Sequence, residues 1–80
     1  MLISELKQLG RDHTNFVSKT PLRSDTGDVL CKDTEYVEFV AEREGFPQGP
    51  VYEFEVYAAG AWLRNIFLTK HQVGFLKMMT

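Results

Sequence analysis

The chain is poor in the residues that usually announce chemistry. It holds one cysteine, Cys31, and two histidines, His13 and His71. No two of these stand at a short ligand spacing, so a zinc centre, which gathers four such ligands, is not expected. A lone cysteine excludes an intrachain disulfide, whereas a secreted domain this small would normally carry several. Long apolar runs are also missing. The charge-free stretch Val56–Leu63 is far shorter than the roughly 20 residues of a membrane-spanning helix. Glu5 and Lys7 interrupt the beginning before a signal-peptide core can form. Together these absences predict a soluble, cytoplasmic protein that needs no cofactor and no metal.

Catalytic signatures are equally scarce, and the expectation is that the chain is not an enzyme. Ser24-Asp25-Thr26-Gly27-Asp28 contains an Asp-Thr-Gly triplet of the aspartic-protease type. That chemistry needs two such carboxylates on loops fed by apolar residues; here the flanks are polar, and a tight turn is the better reading. Asp12-His13 lacks a matching nucleophile. Gly45, Gly49 and Gly60 form no phosphate-cradling pattern. Cys31 reads as a small buried filler.

What is present is ordinary globular material. The chain has 80 residues, 44% of them hydrophobic and 25% charged, which excludes a disordered composition. Ten aromatic residues, six of them Phe, supply bulk for a core. A chain of this length buries only roughly 60–65% of its unfolded surface, and its net stability is expected at ~3–5 kcal/mol. A single domain over residues 1–80 follows. A homodimer would add burial but is not required.

The net charge of −2 is unevenly spread. Residues 1–32 carry a net +1, residues 33–57 a net −6, and residues 58–80 a net +3. The acidic middle argues against nucleic-acid binding, which rests on neutralising phosphates. It suits a protein partner with a basic surface.

Leu2, Leu6 and Leu9 stand at helical spacing, with Gly10 as a natural stop, and predict a short helix over Met1–Leu9. Residues 11–33 are the least legible, a turn-rich stretch with apolar islands at Phe16-Val17 and Val29-Leu30-Cys31, either of them a candidate for a short edge strand. From Thr34 to Arg43 the pattern alternates and is rich in β formers. Gly45–Pro50, with two prolines and two glycines, reads as a loop. Val51–Tyr57 and Ala61–Phe67 read as two further strands joined by a tight turn, hence antiparallel. Thr69-Lys70-His71-Gln72 fits a capping box, with Leu68 and Val73 at the staple positions, and predicts a helix from Lys70 to about Met78. The fold class expected is α+β: a small antiparallel sheet of three or four strands with a helix at each end.

A two-residue turn at Ala59-Gly60 places Tyr57 opposite Trp62, Val56 opposite Leu63, Glu55 opposite Arg64, Phe54 opposite Asn65, Glu53 opposite Ile66 and Tyr52 opposite Phe67. One face then holds Tyr52, Phe54, Val56, Leu63 and Phe67, joined by Val37, Phe39 and Ala41, and reads as core. The other mixes Tyr36, Val40, Tyr57, Trp62 and Ile66 with Glu38, Glu42, Glu53, Glu55 and Arg64. Glu55 and Arg64 would form a cross-strand ion pair worth ~0.2–1 kcal/mol.

Trp, Tyr and Arg are enriched at binding hot spots. The leading expectation is therefore a non-catalytic protein-binding module, an inhibitor, adaptor or accessory subunit that acts by occupying another protein, as phage-encoded inhibitors do. Its candidate contact residues are Tyr36, Glu38, Glu53, Glu55, Tyr57, Trp62, Arg64 and Ile66. The bland alternative is that residues 11–33 cover Trp62 and Ile66. A second function class is a nucleic-acid-associated protein that stacks bases on Tyr57 and Trp62 beside Arg64 and the basic end formed by Lys70, His71 and Lys77. A third is a small enzyme subunit completed by a second chain.

Overall fold

The computed structural model describes residues 1–45, 47 and 49–79. Helix α1 (Ile3–Gly10) is followed by β1 (Asn15–Ser18), β2 (Leu22–Arg23), β3 (Val29–Cys31), β4 (Tyr36–Arg43), β5 (Val51–Ala58), β6 (Ala61–Leu68), α2 (Lys70–Val73) and β7 (Leu76–Met78). A five-stranded antiparallel sheet has the order β6-β5-β4-β1-β7, and β2 pairs with β3 in a separate hairpin. The architecture is α+β, but with more strands than the alternation alone announces. Of the expected loop Gly45–Pro50, Phe46 and Gln48 lie outside the described residues.

The meander β4-β5-β6 forms where alternation and turn chemistry agree. Ala59 and Gly60 adopt φ of 51° and 79°, the two left-handed residues of a type I′ turn, whose twist matches that of the flanking strands. Residues 11–33 divide between two jobs. Phe16 pairs with Val37 on one side and with Met78 on the other, which puts β1 inside the sheet. The β2–β3 hairpin turns through Ser24–Asp28, where the Gly27 amide donates to the Ser24 carbonyl at 2.9 Å with Gly27 at φ 88°. The Asp-Thr-Gly triplet is thus a tight turn.

One face of the sheet is the core. Phe16, Val37, Phe54, Val56, Ile66, Leu68 and Leu76 point into it, and Leu6 of α1, Val73 of α2, and Leu22 and Cys31 of the hairpin close over them. Helix α1 lies so close to β4 that a Cβ on Gly10 would meet Phe39 Cδ2 at 2.6 Å, which fixes glycine there. In α1 the Leu2 amide donates to Glu5 Oε1 at 3.1 Å.

The capping box at α2 is present in both halves. The Gln72 amide donates to Thr69 Oγ1 at 3.2 Å, and the Thr69 amide to Gln72 Oε1 at 2.9 Å. The helix is much shorter than its expected run to Met78: it stops at Val73, and Leu76–Met78 become a strand on β1. Gly74 weakens helix propagation by ~1 kcal/mol relative to alanine, and sheet pairing supplies the backbone partners that a further turn would have supplied.

Two β-bulges reassign side chains that strict alternation places on the wrong face. In β4 the register passes from Phe39↔Phe54 to Ala41↔Glu53, with Val40 as the extra residue. In β6 it passes from Tyr57↔Trp62 to Val56↔Arg64, with Leu63 extra. Beyond each bulge parity inverts. Ala41 lies on the outer face, not in the core set, and Glu42 stands opposite Tyr52, where it pairs with Lys7 of α1 at 2.8 Å. Ile66 is a core residue, 5% exposed, and Phe67, expected in the core, is 53% exposed. Arg64 faces the core side, so the Glu55–Arg64 pair does not form: Glu55 stands opposite Asn65.

Candidate functional site

The outer face of the sheet has no helix or hairpin over it among the described residues. Tyr36, Glu38, Glu53, Glu55, Tyr57 and Trp62 share it, with Asn65, Phe67, Ala41 and Arg43 added by the bulges. Trp62 is 57% exposed. Residues 11–33 do not cover it: β1 extends the sheet sideways, and the β2–β3 hairpin contributes Leu22 and Cys31 to the opposite, core side. Two of the expected contact residues leave this face, Arg64 and Ile66, both for the same reason, the bulge at Leu63.

A chain of polar contacts runs across three strands of the face. Trp62 Nε1 donates to Asn65 Oδ1 at 2.7 Å, Asn65 Nδ2 to Glu53 Oε2 at 2.8 Å, and Arg43 Nε to Glu53 Oε1 at 2.9 Å. Hydrogen bonds from Asn65 and Arg43 hold the Glu53 carboxyl below its usual range. The indole is thereby fixed before any partner arrives, which lowers the entropy lost on binding.

Toward β4 the face carries an electrostatic liability. Glu38 and Glu55 stand directly opposite each other, an arrangement that weakens an antiparallel pair. His13, itself at φ 56°, places Nδ1 2.7 Å from Glu38 Oε1, and the Tyr57 hydroxyl donates to Glu55 Oε1 at 3.3 Å. Burial and the neighbouring Glu55 and Glu38 push the Tyr57 hydroxyl up, so it stays a donor. Tyr36 and Tyr57 stack with ring centroids 5.6 Å apart.

Arg64 does something else. Its Nη2 donates to Glu35 Oε1 at 2.7 Å and, with Nε, to the Leu30 carbonyl at 3.0 and 3.2 Å. Glu35 also accepts from the Lys32 amide at 2.8 Å. Burial raises the Glu35 carboxyl, but the Lys32 amide and the Arg64 guanidinium outweigh it and hold it below the usual range. This pair ties β6 to the β3–β4 connection and takes Arg64 away from the aromatic face on which base stacking would need it.

Phe67, Asn65, Ala41 and Arg43 are the members of this face that alternation missed. Ile66-Phe67-Leu68 is apolar at every position, so either parity looks acceptable, and a bulge leaves no mark in composition. Comparison with protein-family models, with curated proteins and with solved structures finds no match. No described helix is long and apolar enough to cross a membrane.

Proposed function

We propose that the chain is a non-catalytic protein-binding module that docks its outer sheet face on a partner with a basic surface. The observation that carries the reading is the opposed pair Glu38 and Glu55, set beside stacked tyrosines and a pre-fixed, exposed Trp62. Like charges held face to face lower the stability of the free domain. A cation brought by a partner relieves that repulsion and gains contact with the aromatic faces. Large aromatics at the centre of a patch, rimmed by polar groups, are the usual composition of a hot spot.

The test is affinity capture from the native host with wild type, Trp62→Ala and Glu55→Lys, each checked for folding by circular dichroism. Both side chains lie on the uncovered face and pair only with neighbours in the sheet, so both variants should stay folded. Trp62→Ala should lose up to about 1 kcal/mol, and Glu55→Lys should gain up to about 1 kcal/mol as the like-charge pair becomes an opposite-charge one. The expected result is that a basic protein captured by wild type is lost with both variants. Equal capture by all three overturns the reading.

A further inference from the structure

Strand β6 is an edge of the main sheet, and among the described residues no strand lies beyond it. The opposite edge, β7, is three residues long and carries Lys77, two devices that discourage pairing. β6 is eight residues long, contains no proline or lysine, and its one charged residue, Arg64, is turned to the core side and tied to Glu35. Its bulge at Leu63 leaves Arg64–Leu68 as a regular, unguarded stretch.

A cleft of about 380 Å³ runs along this same stretch. Leu30 and Ile66 line it together with the polar Ser24, Asp25, Thr69 and Gln72, and the edge residues Asn65 and Phe67 border it. On the other side of the strand lie exposed Phe67 and Trp62, with Glu53 and Glu55 one strand further in. An added strand alternates its side chains between these two sides.

We infer that the Arg64–Leu68 edge of β6 accepts an extended segment of a partner protein, with apolar side chains entering the Leu30–Ile66 cleft and alternate Lys or Arg side chains crossing Phe67 toward Glu53 and Glu55. This rests on the outer-face reading above and gives the partner's form. Main-chain hydrogen bonds supply affinity in such strand addition, and the pockets for alternate side chains supply specificity. An added strand sits roughly 5 Å from β6 and roughly 10 Å from β5, a span that a lysine or arginine side chain lying over Phe67 closes.

A second copy of the chain fits less well, by parity. Self-pairing of this stretch would bring Arg64, Ile66 or Leu68 of the copy over the cleft. Arg64 is committed to Glu35, while Ile66 and Leu68 are 5% and 0% exposed in their own core. The cleft would stay empty, and no cation would reach Glu53 or Glu55.

The probe is a displayed library of random ten-residue peptides selected on the intact chain. The strongest binder is then synthesised and titrated by amide NMR and hydrogen exchange. The expected consensus alternates Lys or Arg with branched apolar residues. Binding should slow exchange at β6 amides, and N-methylation of the peptide amides facing β6 should weaken it at least tenfold, about 1.4 kcal/mol. Selected peptides that lack alternation, or that shift Tyr36 and Tyr57 without protecting β6, overturn the edge inference and leave the outer-face reading standing. Peptides that protect β6 but are indifferent to Trp62→Ala and Glu55→Lys overturn the outer-face reading, and with it the basic half of the partner. A free chain that sediments as a dimer with β6 amides already protected overturns the choice of occupant.

Discussion

Removing the Arg64 guanidinium tests the bulge and the energetics of the fold in one measurement. A fully buried ion pair loses about 3–5 kcal/mol when one partner is deleted, and an exposed pair about 0.2–1 kcal/mol. Here the Glu35 side chain is 7% exposed and that of Arg64 is 37% exposed. The charge left behind is the buried one, but the guanidinium is partly screened by water, so Arg64→Met should lose about 2–3 kcal/mol. Against a total of ~3–5 kcal/mol that is roughly half of the stability or more, and the midpoint of thermal unfolding should fall by roughly 10–20 °C. The assay is a double-mutant cycle by urea titration, combining Arg64→Met first with Glu35→Gln and then with Glu55→Gln. Coupling should exceed about 1 kcal/mol with Glu35 and stay within about 0.5 kcal/mol with Glu55. The reverse ranking would place Arg64 on the outer face and refute the bulge at Leu63. The same pair sets an acid limit. Because the Glu35 carboxyl is held low in the folded state, its contribution is complete above the unfolded value, about 4.3. It is lost as pH falls through the folded value, since the unfolded chain then takes up the proton first. Glu35→Gln should therefore flatten the loss of stability on acidification; an unchanged slope would show that the carboxyl is not held low.

Two other substitutable or reactive positions have clear outcomes. Cys31 is fully buried and burial pushes its thiol up to about 11. A thiol reagent near neutral pH should modify it only at the rate of unfolding, and reaction at the speed of free cysteine would show the core to be open. At Gly45 an added Cβ would clash with the Gly49 carbonyl oxygen and meet Val51 Cγ1 at 2.8 Å. Gly45→Ala should therefore lose about 1–3 kcal/mol in a urea titration, and an unmoved midpoint would contradict the close approach.

What alternation and local chemistry decide, the sequence reveals. The three meander strands, the Ala59-Gly60 turn and the Thr69–Gln72 capping box are each settled by residues within a few positions of one another. So is the sharing of a face by Tyr36, Tyr57 and Trp62, all of which precede the bulge in their strand or pair across it before the register shifts. Beyond Val40 and Leu63 the same reasoning fails, because one extra residue inverts parity and any residue type can be that extra one. Leu76–Met78 were illegible for a different reason. Their apolar spacing continues the α2 pattern equally well, and only the unpaired side of β1, distant in sequence, makes them a strand.

That long-range pairing bears on how the domain is made. β1 lies between β4 and β7, and Phe16 finds its second neighbour only in Met78. During synthesis the meander can assemble and β1 can dock on it while one side of β1 still presents free amides and carbonyls beside the fully buried Phe16. The strand that shields that side is the last of the described strands to be translated. A pause before β7 emerges therefore leaves a nascent chain with a second sticky border opposite β6, the condition under which a chaperone is most needed.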